Sequence, residues 1–129
     1  MRRISSLLLI YYLIIACQSP SSGTVKNGPS GLVSNREPFD RQGQLIYTRH
    51  ALCRMDCRHI TPKEIHEILD RGTINYMKSE PEARPDPKYA MEGYTDEQQH
   101  LRIIIAPEGG KLIVITCIEL GMEWSCNCN

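Results

Sequence analysis

The sequence predicts an α+β fold with two N-terminal helices packed on a mainly antiparallel four-stranded sheet. Two observations predict it. The apolar period changes from helical to two near residue 73, and each later segment is joined to the next by a short polar or glycine-bearing turn. Runs of helices followed by runs of strands read as α+β.

The first helix is "YTRHALCRMDCRH". Thr48 is its expected N-cap, and Leu52, Met55 and His59 share one face with Ala51 beside them. The second is "ITPKEIHEILDRG". Thr61 is the N-cap, Pro62 sits at N1, Glu64 at N3 closes a capping box, and Gly72 ends the helix. Ile60 and Ile65 form an expected hydrophobic staple, and Ile65, Ile68 and Leu69 the buried stripe. "TINYMKS" is the first expected strand. The proline-rich "SEPEARPDPK" is a loop. "YAMEGYT" and "HLRIIIAP" are strands joined by "DEQQ". "PEGG" turns the chain into "KLIVITCIEL", the most apolar strand and the expected centre of the sheet.

Ahead of this domain the chain opens "MRRISSLLLIYYLIIACQSP". Arg2 and Arg3 precede a twelve-residue, mostly apolar run, shorter than the roughly 20 residues of a spanning helix. Residues 1–16 read as a secretory signal. "LIIAC" resembles the lipobox of bacterial lipoproteins, which implies cleavage after Ala16 and lipidation of Cys17, with the membrane as partner through the anchor. Gln18 follows where an aspartate marks inner-membrane retention in some bacteria, which points to the outer membrane of the cell envelope. Residues 17–43 are a lipidated cysteine and a Ser/Gly/Pro-rich flexible tether, and 44–129 the folded domain with a cysteine-rich C-terminal tail. Without Arg2 and Arg3, 13 basic residues face 15 acidic ones. No global field then draws the protein to nucleic acid.

"YTRHALCRMDCRHITPKEIHEILDRG" followed by "YAMEGYT", "LRIIIAP" and "LIVITCIEL" resembles the bacterial family called domain of unknown function 4258, over about residues 45–120. The resemblance implies a fold similar to the RelE and barnase-like toxin superfamily, whose members include ribonucleases. "CRMDC" and "EWSCNC" go beyond the family's general pattern.

Two chemistries are on offer. The first is a metal-independent, ribonuclease-like hydrolase. His50, Arg54 and Arg58 recur at i, i+4 and i+8 along one helix stripe, and His100 and Arg102 share one side of a strand. His50 or His100 would be the base, Arg54 or Arg102 the phosphate clamp, and Tyr94 a helper. The same residues also have structural uses as ion-pair partners and caps.

The second chemistry is sulfur. Besides Cys17 there are Cys53, Cys57, Cys117, Cys126 and Cys128. Cys53 and Cys57 share a helix face, and Cys126 and Cys128 share one side of an extended tail. The two pairs read either as a tetrahedral thiolate Zn²⁺ site or as disulfides. Neither pair closes easily on itself, because residues at i and i+4 hold their Cβ atoms about 5–6 Å apart and a disulfide needs about 3.8 Å. Cross-pairing closes a loop of about 70 residues, worth on the order of 4 kcal/mol. Cys117 in "VITCI" is the expected free, buried thiol, and Trp124 an anchor packing the tail on the first helix. A thiol redox protein with Cys53 and Cys57 as an exchangeable pair is a further alternative. The leading reading is an envelope lipoprotein with a small cysteine-stabilised binding or structural domain.

Overall fold

The structure, a computed structural model, describes residues 36–128. The expected signal peptide, Cys17 and the tether up to residue 35 lie outside the described residues. The order is β1 (Gln44–Tyr47), α1 (Arg49–Cys57), α2 (Pro62–Arg71), β2 (Thr73–Ile74), a 3-10 turn (Tyr76–Lys78), β3 (Tyr89–Tyr94), β4 (His100–Glu108) and β5 (Lys111–Glu119).

This corrects the expected architecture. The sheet has five strands, ordered β1-β5-β4-β3-β2, and it is mixed. β1 precedes both helices and pairs parallel with β5, Leu45 opposite Leu112 and Tyr47 opposite Val114. The other neighbours are antiparallel. β5 is interior as expected of an apolar strand, but the middle position belongs to β4. "TINYMKS" is not a full strand. After Ile74 the Ser79 hydroxyl donates to the Asn75 carbonyl and accepts from the Ala90 N–H. These bonds fold residues 75–79 back against β3, so β2 stops after two residues.

One face of the sheet carries the core. Met91 from β3, Leu101, Ile103 and Ile105 from β4, and Leu112, Val114 and Cys117 from β5 are buried with Ala51 and Met55 of α1 and Ile65, Ile68 and Leu69 of α2. Burying each large aliphatic side chain stabilises the fold by roughly 1.5–3 kcal/mol. Ile60 is buried in the same cluster. Ahead of β1, Phe39 packs on Tyr89 with ring centroids 5.2 Å apart, and Arg41 donates to the carbonyls of Leu69 and Gly72 at 2.8 Å each.

Thr48 caps α1 by accepting from the Ala51 N–H. The stripe of α1 is one position off the expected one: Ala51 and Met55 are buried, Leu52 is 52 % exposed and His59 is exposed. The helix serves two partners, the sheet on one side and the C-terminal tail on another, so no single apolar stripe describes it. It ends in a Schellman motif. His59 takes φ 54°, its N–H reaches the Asp56 carbonyl and the Ile60 N–H reaches Met55.

α2 starts as read. The Thr61 hydroxyl accepts from the Glu64 N–H while the Glu64 carboxylate accepts from the Thr61 N–H and hydroxyl. Thr61→Ala removes the side-chain half of that box and is expected to cost about 1 kcal/mol. Thermal unfolding should show it as a midpoint lowered by roughly 4–8 °C.

Candidate functional site: the cysteine-bound tail and the open sheet face

The four cysteines of the tail and α1 are joined in two disulfides, Cys53–Cys128 and Cys57–Cys126, with Cα–Cα distances of 5.8 and 5.9 Å. This is the cross-pairing that the spacing allows. The later tail cysteine meets the earlier helix cysteine, so the tail runs antiparallel to α1. Trp124 adds to the attachment. Its indole meets the His59 ring edge-on at 5.7 Å, and its Nε1–H donates to the Glu119 carboxylate at 3.0 Å. His59 thereby has a use in a position where glycine would relax the backbone. With these cysteines oxidised, no group of three or more His, Cys, Asp or Glu among the described residues is arranged to hold a metal ion.

β5 outruns β1, and α1 serves the carbonyls that β1 leaves. The Thr48 hydroxyl donates to the Ile115 carbonyl at 3.0 Å, and the Arg58 guanidinium donates to that of Cys117. Arg54 donates to His50 Nε2 at 3.3 Å and reaches the Cys126 carbonyl at 3.5 Å. Both arginines of the helix stripe are thus tied to backbone of β5 or the tail. Cys117 is the free cysteine among the described residues, and it is buried. Burial pushes its thiol up to about 11 against the pull of Arg58 and Arg54, so it is protonated and unreactive at neutral pH.

The other predicted residues lie on the face of the sheet away from the helices. Leu101, Ile103 and Ile105 point into the core, so His100 and Arg102 point out. His100 stands opposite Tyr94, and their rings stack at 4.3 Å and 11°. Arg102 stands opposite Glu92 and donates to its carboxylate, to which Asn75 Nδ2 also donates at 2.9 Å. The structure therefore brings His50 to Arg54 and His100 to Tyr94 and Arg102. Among the described residues, no hydrogen bond or ion pair joins the two groups.

Burial alone would raise the Glu92 carboxyl. The hydrogen bonds from Arg102 and Asn75, with the charges of Arg102 and His100, outweigh it and hold the group below its usual value of 4.5. A carboxyl lowered in the folded state stabilises above its unfolded pKa, and that contribution fades as pH falls through the folded one. Wild type should therefore lose stability below about pH 4.5 more steeply than Glu92→Gln. Urea midpoints across that range check the slope, and equal acid limbs would remove the assignment.

Glu92 and Asn75 escaped the reading of the sequence. Had "YAMEGYT" and "HLRIIIAP" been laid out as a hairpin about the "DEQQ" turn, Glu92 would have fallen opposite Arg102.

Among curated proteins and among solved structures, nothing matches this chain. A family model does match, over residues 47–119, from the last residue of β1 to the end of β5. Cys53 and Cys57 lie inside that stretch, while Cys126, Cys128 and Trp124 lie beyond it, so the disulfides join the family's common region to an added tail. With more than half of its length in the match, the chain belongs to the family described as domain of unknown function, DUF4258.

Proposed function

We propose that this is an exported lipoprotein of the cell envelope whose DUF4258 domain is a cross-linked binding or structural module. Residues 1–16 are its signal peptide, lipidated Cys17 and the residues after it its tether, which ends before the stretch in which Phe39 and Arg41 join the domain, and the outer membrane its site. The observation that carries the reading is the pair of disulfides spanning 75 and 69 residues. Structural disulfides persist in oxidising compartments and are rare in the cytosol. A small domain also gains the most from such staples. The proposal includes descent from the RelE and barnase-like architecture. Support for it comes from two consecutive helices on one face of a sheet whose β3, β4 and β5 are antiparallel.

The hydrolase alternative draws less support. It needs an uncommitted cation beside a histidine at one phosphate. Arg102 is matched by Glu92, Arg58 by a carbonyl, and Arg54 by His50 and the tail.

The test is metabolic labelling with an alkyne fatty acid, together with intact mass of the purified protein. Wild type should incorporate the label and Cys17→Ala should not. The mass should fall four hydrogens short of the fully reduced chain. A full-length, unlabelled product in the cytosol with free thiols would overturn the proposal.

A further inference from the structure

The four sulfurs of the tail attachment form one compact group whose chemistry depends on oxidation state. Cys53 and Cys57 are one helical turn apart, so their Cβ atoms stand about 5–6 Å from each other on one face. Cys126 and Cys128 both reach that face from a tail segment running antiparallel to α1. Each tail cysteine is within 6 Å, Cα to Cα, of its helix partner. The four sulfurs therefore form two bonded pairs one turn apart along α1. A tetrahedral tetrathiolate needs sulfurs 2.3 Å from the metal and so about 3.8 Å apart. Cleaving the two S–S bonds lets each pair open to that separation, while side-chain rotation draws the pairs together.

Charge favours the same outcome. Four thiolates around a divalent cation carry a net charge of −2. Arg54 and Arg58 each follow one of the helix cysteines in sequence, and Arg54 already reaches the Cys126 carbonyl. Asp56 is the one carboxylate on this turn of α1, and it is exposed.

We infer that the reduced domain holds one thiophilic divalent cation, Zn²⁺ or its like, through Cys53, Cys57, Cys126 and Cys128, and that this site and the two disulfides are alternative states of the same four sulfurs. The exchange balances. The metal tetrathiolate and two small-molecule disulfides give the two protein disulfides, the free cation and four small-molecule thiolates. Four electrons pass from protein sulfur to the small disulfides. In either state the tail stays fastened to α1, which keeps Trp124 on His59. The inference is independent of where the chain resides.

Co²⁺ tests it, because tetrahedral cobalt thiolates absorb strongly. The full chain carrying Cys17→Ser and Cys117→Ser is reduced with a phosphine under anaerobic conditions and titrated with Co²⁺. The expected result is one equivalent bound, with thiolate charge-transfer and tetrahedral d–d bands that Zn²⁺ abolishes. A small disulfide should discharge the metal while restoring the wild-type disulfide map. Each single Cys→Ser change among the four should weaken binding by at least about tenfold. His59→Ala should leave the bands unchanged. Failure of the bands to appear overturns the inference, whether or not the reduced chain is folded. So does retention of one tightly held Co²⁺ in Cys126→Ser/Cys128→Ser, which would put the metal elsewhere.

Discussion

Replacing Cys53 and Cys128 together by serine is expected to lower stability by about 2.5 kcal/mol, and replacing Cys57 and Cys126 by the same amount. Replacing all four should cost about 7 kcal/mol, well above the sum of the two. The reason is nesting. Each disulfide alone closes a loop of 69 to 75 residues, worth about 4.4 kcal/mol of unfolded-state entropy. Once either is in place, the other closes only a ring of about eight residues, five from α1 and three from the tail, worth about 2.5 kcal/mol. The pairs should therefore couple by about 2 kcal/mol. Domains of this kind have 5–15 kcal/mol in total, so the four-serine variant lies near or past its midpoint at room temperature. Urea midpoints of wild type and the three variants give the cycle directly. Additive losses would show that the tail is not held by both bonds at once.

Gly72→Ala should cost about 3 kcal/mol, or a fall in thermal midpoint of roughly 12–24 °C. The backbone of Gly72 is ordinary, with φ −70°, so the demand is for space. A Cβ there would stand 2.4 Å from the Ile68 carbonyl oxygen and 2.8 Å from that of Glu92. Both obstacles are backbone, and neither can rotate away. Gly93 on β3 backs onto the same point, its own Cβ position lying 3.1 Å from the Gly72 Cα. Two glycines thus let the end of α2 touch the sheet. Gly121→Ala is the contrast. It has φ 82° and open space around it, so only backbone strain of about 1 kcal/mol is expected. A Gly72→Ala protein as stable as Gly121→Ala would show that the helix end can move away from β3.

The helices and the three long strands were legible because their signals are local. The capping box at Thr61 and Glu64, the stripe of Ile65, Ile68 and Leu69, and the turns at "DEQQ" and "PEGG" all act within a few residues. β1 was not legible. "QLIY" is four residues long, and its partner Lys111–Glu119 is far along the chain and parallel, so no turn announces the pairing. β2 was overextended because "TINYMKS" has strand composition. The side chains that end it, Asn75 and Ser79, act through contacts with β3. In the site, the cross-pairing of the cysteines followed from helix geometry. Which tail cysteine meets which helix cysteine depends on the direction of the tail, and the spacing carries no direction. The histidines and arginines were found as residue types. Their separation into two groups follows from the pleat of β4 and from the carbonyls β1 leaves to Thr48 and Arg58.

The parallel pairing of β1 with β5 also governs when this domain can form. A polypeptide delivered N-terminus first presents Gln44–Tyr47 early, yet the ladder that completes it begins at Lys111. Contacts this distant in sequence make folding slow relative to helical domains of the same size. Leu45 and Tyr47 must wait, unpaired, until Lys111–Val114 has been made, so β1 is the first strand synthesised and among the last to be paired.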